Sequence, residues 1–179
     1  MKISEMKKYA AKALAYFKKA SIELTDAEKS NIEVADFGLN NIDEIELELV
    51  TYINTDRVCA KEMVLFPGQT CPEHMHVETD GVMGKEETFR CRYGKVLLYV
   101  DGEGDQTHMQ GKIPETSVTG FHEVVLMPGQ QYTIMPGTKH WFQAGEEGAV
   151  VSEFSTHSTD ETDLFTDERI IRAPRIEQD

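Results

Sequence analysis

The chain has 179 residues, 40% of them hydrophobic, and a formal net charge of −14. That length fits one domain around a single core. An acidic surface repels phosphate backbones and anionic lipid, so nucleic acid and membranes are not expected partners.

No apolar run reaches the roughly 18 residues of a transmembrane helix. Lys7, Lys8, Lys12, Lys18 and Lys19 interrupt every candidate signal core near the start, so a cytoplasmic location is expected. Cys59, Cys71 and Cys91 fit reduced thiols in that compartment.

Residues 3–20 read as a helix. Met6, Ala10, Leu14 and Phe17 recur at helical spacing, and Tyr9, Ala13 and Tyr16 widen the stripe. A second short helix is predicted after Thr25, where Glu28 stands at the capping-box position. From about residue 45 the period changes to two. ELELVTYIN (46–54) and CAKEMVLFPGQ (59–69) read as strands. ETFRCRYGKVLLYVDGEG (87–104) reads as two strands turning at Tyr93-Gly94. Residues 121–145 read as three strands with turns at Pro128-Gly129 and Pro136-Gly137, and GAVVSEFS (148–155) as a last one. Residues 101–120 are a polar loop, and 156–179 read as a polar arm. The expected organisation is a helical segment over 1–44, an antiparallel sandwich or barrel over 45–170, and a tail over 171–179.

The chemistry concentrates in CPEHMHVETDGVMGKEETF (71–89). His74 and His76 are two apart, so on an extended strand both imidazoles share a face. A third, His140, follows the Pro136-Gly137 turn, and Glu86 and Glu87 lie within hairpin reach. Histidines with one carboxylate suit first-row divalent metals. No cysteine stands at the spacing of a closed zinc site, so open coordination positions and a catalytic use are expected. A lone histidine is more often structural, and only the wider pattern lifts this set.

That pattern resembles the two cupin motifs. Gly68 is followed by five residues and then His74 and His76; Glu87 is followed by six and then Gly94. The Gly94 spacing selects Glu87 over Glu86. The departure is the ten residues between His76 and Glu87. In the second motif Gly129, Gly137 and His140 are in place, while Met135 and Ala144 stand where the pattern has Pro and Asn. The resemblance implies an all-β cupin barrel, or jelly roll, with helices added at the N-terminus. Its metal would sit on His74, His76, Glu87 and His140.

Within cupins, the strings NTDRVCAKEMVLFPGQTCPEHMH, GKEETFRCRYGKVLLYV and PGTKHWFQAGEEGAVVSEFS resemble the D-lyxose ketol-isomerases. The resemblance implies interconversion of D-lyxose and D-xylulose, with D-mannose and D-fructose as side substrates. It also implies one divalent metal, typically Mn²⁺, and a homodimer.

Such a reaction moves a proton between C1 and C2 and needs a general base. Alternation puts Glu153 on one face with Val151, and a charge facing a barrel interior demands a reason. Glu153 is the expected base. Lys61 is the second catalytic candidate, as oxyanion support or as partner of Glu153. Asp163 is expected to hold sugar hydroxyls or serve as an acid, and one of Trp141 and Phe142 to line the pocket. Arg90 and Arg92 share a face opposite Cys91 and carry no catalytic role. Three other readings stay open: a cupin dioxygenase, a cupin sugar-phosphate isomerase needing basic residues for the phosphate, and a sugar-binding cupin without turnover.

Overall fold

Alternation from residue 33 onward sets the architecture of the computed structural model, which describes residues 1–173 and 176–179. Helix α1 (Ile3–Lys19) packs Tyr9, Ala13, Tyr16 and Phe17 inward. Met6, Ala10 and Leu14 sit at the edge of that stripe, only partly buried. Glu5 in the first turn and Lys18 and Lys19 in the last complement the helix dipole. Helix α2 (Asp26–Ser30) opens on the capping box expected at Thr25: Glu28 N–H donates to Thr25 Oγ1 at 3.3 Å, and Thr25 N–H donates to Glu28 Oε2 at 2.7 Å.

The strands are β1 (Glu33–Ala35), β2 (Leu47–Asn54), β3 (Cys59–Leu65), β4 (Thr70–Met75), β5 (Glu87–Val100), β6 (His122–Leu126), β7 (Gln131–Ile134), β8 (His140–Ser155) and β9 (Leu164–Phe165). They form one curled antiparallel sheet in the order β1-β2-β3-β8-β4-β9, with β5 joining β8 to β6 and β7. The fold is therefore the all-β cupin barrel that the motifs imply. Strand β1 pairs with β2 through Glu33↔Leu49 and Ala35↔Leu47, so the sheet begins inside the segment assigned to helices by sequence.

Two pairs of predicted strands prove to be single long ones. Residues 87–100 and 140–155 run through Tyr93-Gly94 and Gly148 without breaking. The register of β5 on β8 slips between Cys91 and Tyr93 and again between Gly94 and Val96, bending the pair instead of ending it. Gly94 (φ +70°) meets Gly148 at this bend: a Cβ on Gly94 would lie 1.9 Å from the Gly148 carbonyl oxygen. The glycine is a point of close backbone approach, not a turn.

The core lies inside the barrel, where Leu47, Leu49, Met63, Leu65, Phe89, Phe142 and Val151 pack together. A second layer seals α1 onto the outer face of the sheet through Val34, Val50, Val64, Phe66 and Val150. The segment after β8 is not a free arm. A short 3-10 turn (Asp160–Thr162) and β9 fold back, and β9 pairs with β4 through Phe165↔His74. Residues 174 and 175 of the expected tail lie outside the described residues.

Candidate functional site

The strands deliver three of the four expected ligands at their ends. His74 is on β4, Glu87 is the first residue of β5 and His140 the first of β8; His76 directly follows β4. His74 and His140 are cross-strand partners. The ligand atoms of His74, His76, Glu87 and His140 all lie within 4.8 Å of one another, and all four residues are buried. The long stretch between His76 and Glu87 is a loop that doubles back. Gly84 lies against the His76 carbonyl, where a Cβ would come within 2.1 Å of the oxygen.

Each ring is oriented from behind. His74 Nδ1 donates to the Pro72 carbonyl at 2.8 Å, His140 Nδ1 to the Thr138 carbonyl at 3.0 Å, and His76 Nδ1 to Asp163 Oδ1 at 2.6 Å. With the three Nδ1 atoms so engaged, the three Nε2 atoms face a common centre. His140 Nε2 is 2.9 Å from Glu87 Oε1 but not aligned for a hydrogen bond, and it is buried without a partner among the described residues. A buried, unpartnered imidazole nitrogen beside a carboxylate, with two more imidazoles, fits one divalent ion. Burial drives the His74 pKa well below the usual imidazole range, and the neighbouring His140 and His76 push it the same way, which keeps the ring neutral and free to ligate.

Behind the ligands lies a layer of buried charge. Lys85 Nζ reaches Glu87 Oε2 at 2.9 Å, Glu153 Oε1 at 3.0 Å and Asp160 Oδ1 at 3.3 Å. Lys61 Nζ contacts Asp160 Oδ2 at 2.6 Å, Ser158 Oγ at 2.8 Å and Glu153 Oε1 at 3.8 Å. Burial alone would pull Lys85 down, but Glu87, Glu153 and Asp160 outweigh it and hold the ammonium well above its ordinary pKa. Burial would likewise raise Glu87; Lys85, with the neighbouring His140 and a hydrogen bond from His76, keeps it well below the carboxylate range. Asp160, buried too, is held ionised by Lys85 and Lys61.

Of the residues expected from sequence, His74, Glu87, Lys61, Glu153, Asp163 and Phe142 line one interior cavity of about 30 Å³. Alternation places Glu153 inward, and it faces the cavity beside Lys85. Asp163 is committed to His76 through its Oδ1. Trp141 is a correction. It stacks on Tyr99 with centroids 3.9 Å apart, and its indole N–H donates to the Gly120 carbonyl at 2.8 Å. Next to His140 on an extended strand it must point to the opposite face, leaving Phe142 as the aromatic of the pocket. Arg90 and Arg92 donate to Gln131 and Ser152, away from the cavity.

Three charged cavity residues escape the sequence reading: Lys85, Asp160 and Arg172. Lys85 carries a usable signal, since it stands two residues before Glu87 and shares its face. Asp160 and Arg172 fall in the polar segment after β8, which has no period to read.

The D-lyxose isomerase family model matches residues 2–179. A D-lyxose/D-mannose isomerase of Thermosediminibacter oceani is 59% identical, with 99% of each chain covered. A D-lyxose ketol-isomerase of Cohnella laeviribosi is 56% identical over the whole of both chains. Among solved structures, the L-ribose isomerase of an Acinetobacter species in complex with L-ribose superposes with a TM-score of 0.74 over 95% of this chain and 94% of its own. At 15% identity that likeness shows the fold alone. No helix of the described residues is long and apolar enough to cross a membrane. The full-length family match and the two close relatives place this chain in the D-lyxose isomerase family.

Proposed function

We propose that the chain is a metal-dependent aldose–ketose isomerase interconverting D-lyxose and D-xylulose, with D-mannose and D-fructose as side substrates. The reading takes its sugars from the names of its relatives. The observation that carries it is the convergence of three Nε2 atoms on Glu87, with Glu153 in the same cavity one lysine away.

His74, His76, Glu87 and His140 would hold the ion, with Mn²⁺ as the proposed metal. Once bound it would act as a Lewis acid that lowers the energy of the anionic enediolate. The residues supply the rest. Glu153 lifts the proton from C2 and returns it to C1 while the hydroxyl proton passes from O2 to O1, so that the aldose gains a C2 carbonyl and C1 becomes a hydroxymethyl group. Lys85 orients Glu153 and supplies counter-charge. Lys61, steadied by Ser158 and Asp160, donates toward the developing oxyanion. Asp163 fixes the His76 ring, and Phe142 gives the sugar an apolar wall.

Lys61, Lys85 and Arg172 are each paired with carboxylates, which favours an unphosphorylated sugar over a sugar phosphate. We further propose that the enzyme works in the cytoplasm as a homodimer.

The test is ketose formation by metal-stripped protein, with and without Mn²⁺, on D-lyxose, D-mannose and mannose 6-phosphate. The expected result is Mn²⁺-dependent D-xylulose from D-lyxose. Metal binding without turnover of any sugar, or oxygen uptake during turnover, overturns the reading.

A further inference from the structure

The cavity beside the histidines, about 30 Å³, has room for a water or two. An aldose is several times larger. A second cavity of about 360 Å³ adjoins it, and Leu49, Lys61, Asp160 and Arg172 line both. These side chains are the partition. Arg172 comes from the segment after β9 and reaches across the gap. Its Nη1 donates to Glu33 Oε1 at 2.5 Å, and its Nη2 lies 3.4 Å from Asp160 Oδ2. Glu33 opens β1 and Asp160 opens the 3-10 turn, so the pair of contacts ties one rim of the barrel to the returning segment.

We infer that the outer cavity receives the non-reacting end of the aldose, and that Arg172, strung between Glu33 and Asp160, sets how long a sugar the enzyme accepts. The inference rests on the isomerase reading above and deepens it. In that reading the carbons that exchange a proton lie at the four ligands and Glu153, which fixes one end of the substrate. D-lyxose and D-mannose have the same configuration at every stereocentre they share on this side of the molecule. They differ by one carbon at the far end. No residue near the ligands can tell them apart, so discrimination falls to whatever meets the chain where it leaves the inner cavity. The partition stands there. Arg172 spans it with its side chain, so rotation of Arg172 opens it without disturbing the sheet. A guanidinium also offers several N–H donors in a plane, suited to hydroxyl oxygens of the departing chain. Thr51, Asn54 and Ser158 in the outer cavity extend that polar lining.

The experiment compares wild type with Arg172→Ala, both loaded with Mn²⁺. Two ratios are measured: kcat/KM for D-mannose over D-lyxose, and calorimetric affinity for D-mannitol over D-arabinitol, the unreactive six- and five-carbon alditols. One carbon's worth of pocket shifts selectivity by roughly tenfold or more, so both ratios are expected to rise by that factor in the variant. Wild-type turnover with both ratios the same in Arg172→Ala overturns the inference. Wild type that binds Mn²⁺ and the alditols but converts neither sugar overturns the isomerase reading instead. Should Arg172→Ala fail to fold, Leu49→Ala opens the same partition without touching an ion pair, and the same rise is expected of it.

Discussion

The two faces of one sheet carry buried charge on opposite terms. Inside the barrel Lys61 and Lys85 meet Glu87, Glu153 and Asp160 at hydrogen-bonding or near-contact distances, and Arg172 joins Asp160 to Glu33. Outside, under α1, Glu46 and Glu48 are fully buried with far less around them. Gln69 donates to Glu46 Oε2 at 2.7 Å, but Glu46 Oε1 and both Glu48 oxygens have no hydrogen-bond partner among the described residues. The alternation of β2 puts Leu47 and Leu49 toward the cavity and these two glutamates toward the helix. A carboxylate stays ionised in a dry site only when counter-charge reaches it; otherwise it keeps its proton. The interior group is held charged for chemistry, whereas the exterior pair sits at the other limit. Burial raises Glu46 to about 8, and burial reinforced by Glu46 raises Glu48 well above the usual carboxylate range.

The largest expected effect breaks the interior group at its working member. Glu153→Gln keeps shape and removes the proposed base, so kcat should fall by roughly 10²–10⁴ while bound Mn²⁺, counted by elemental analysis, stays at the wild-type stoichiometry. Activity retained in that variant would remove Glu153 from the mechanism. Next comes Lys85→Met, which leaves three carboxylates without their shared ammonium. Stranding buried charge costs about 3–5 kcal/mol, and a urea titration at pH 7 should register a loss of that order. A loss of less than about 1 kcal/mol would mean that water, not Lys85, compensates those carboxylates.

How much of this is legible in the sequence follows from period and contact order. The three histidines and Glu87 are readable because candidate ligands on or beside strand ends keep a fixed alternation and the motif spacings are set by turns. Glu153 is readable for the same reason. Lys85 obeys that rule too and escapes notice, because the long loop before Glu87 hides where the strand begins. Asp160 and Arg172 reach the cavity through a segment with neither helical nor strand period, and only tertiary pairing of β9 on β4 brings them there. The single long strands β5 and β8 read as pairs since Gly94 and Gly148 look like turn residues. What sequence cannot display is that Gly94 lies against the Gly148 carbonyl, while Gly148, with φ +80°, lies against Tyr16 of α1 and the Leu65 carbonyl. Glu46 and Glu48 read as the polar half of an amphipathic strand. Their burial depends on where α1 docks, which no local pattern records.

The smallest expected effect sharpens the exterior side. In the unfolded chain Glu46 and Glu48 ionise near the ordinary 4.5, whereas in the folded protein Glu46 holds its proton to about 8 and Glu48 is raised well above its ordinary value. Between those pH values the native state binds more protons than the unfolded one, so stability falls as pH rises. The stabilisation is fully present below about pH 4.5 and is lost as pH climbs through about 8. A tenfold difference in proton affinity between the two states is worth about 1.4 kcal/mol. Glu48→Gln removes one titrating group and gives Glu46 an amide that can donate to it, with Lys12, whose ammonium sits 3.6 Å over the Phe66 ring, as the nearest cation to favour ionisation. The variant should match wild type near pH 5 and exceed it by roughly 1–3 kcal/mol at pH 8.5, because it no longer gives up a proton from an unpaired carboxyl. Urea titrations of both proteins across that range isolate the effect, since the other acidic residues contribute equally to both curves and cancel in the difference. Curves that run parallel from pH 5 to 8.5 would show that the pair is hydrated or ion-paired in solution, and the contrast between the two faces of the sheet would disappear.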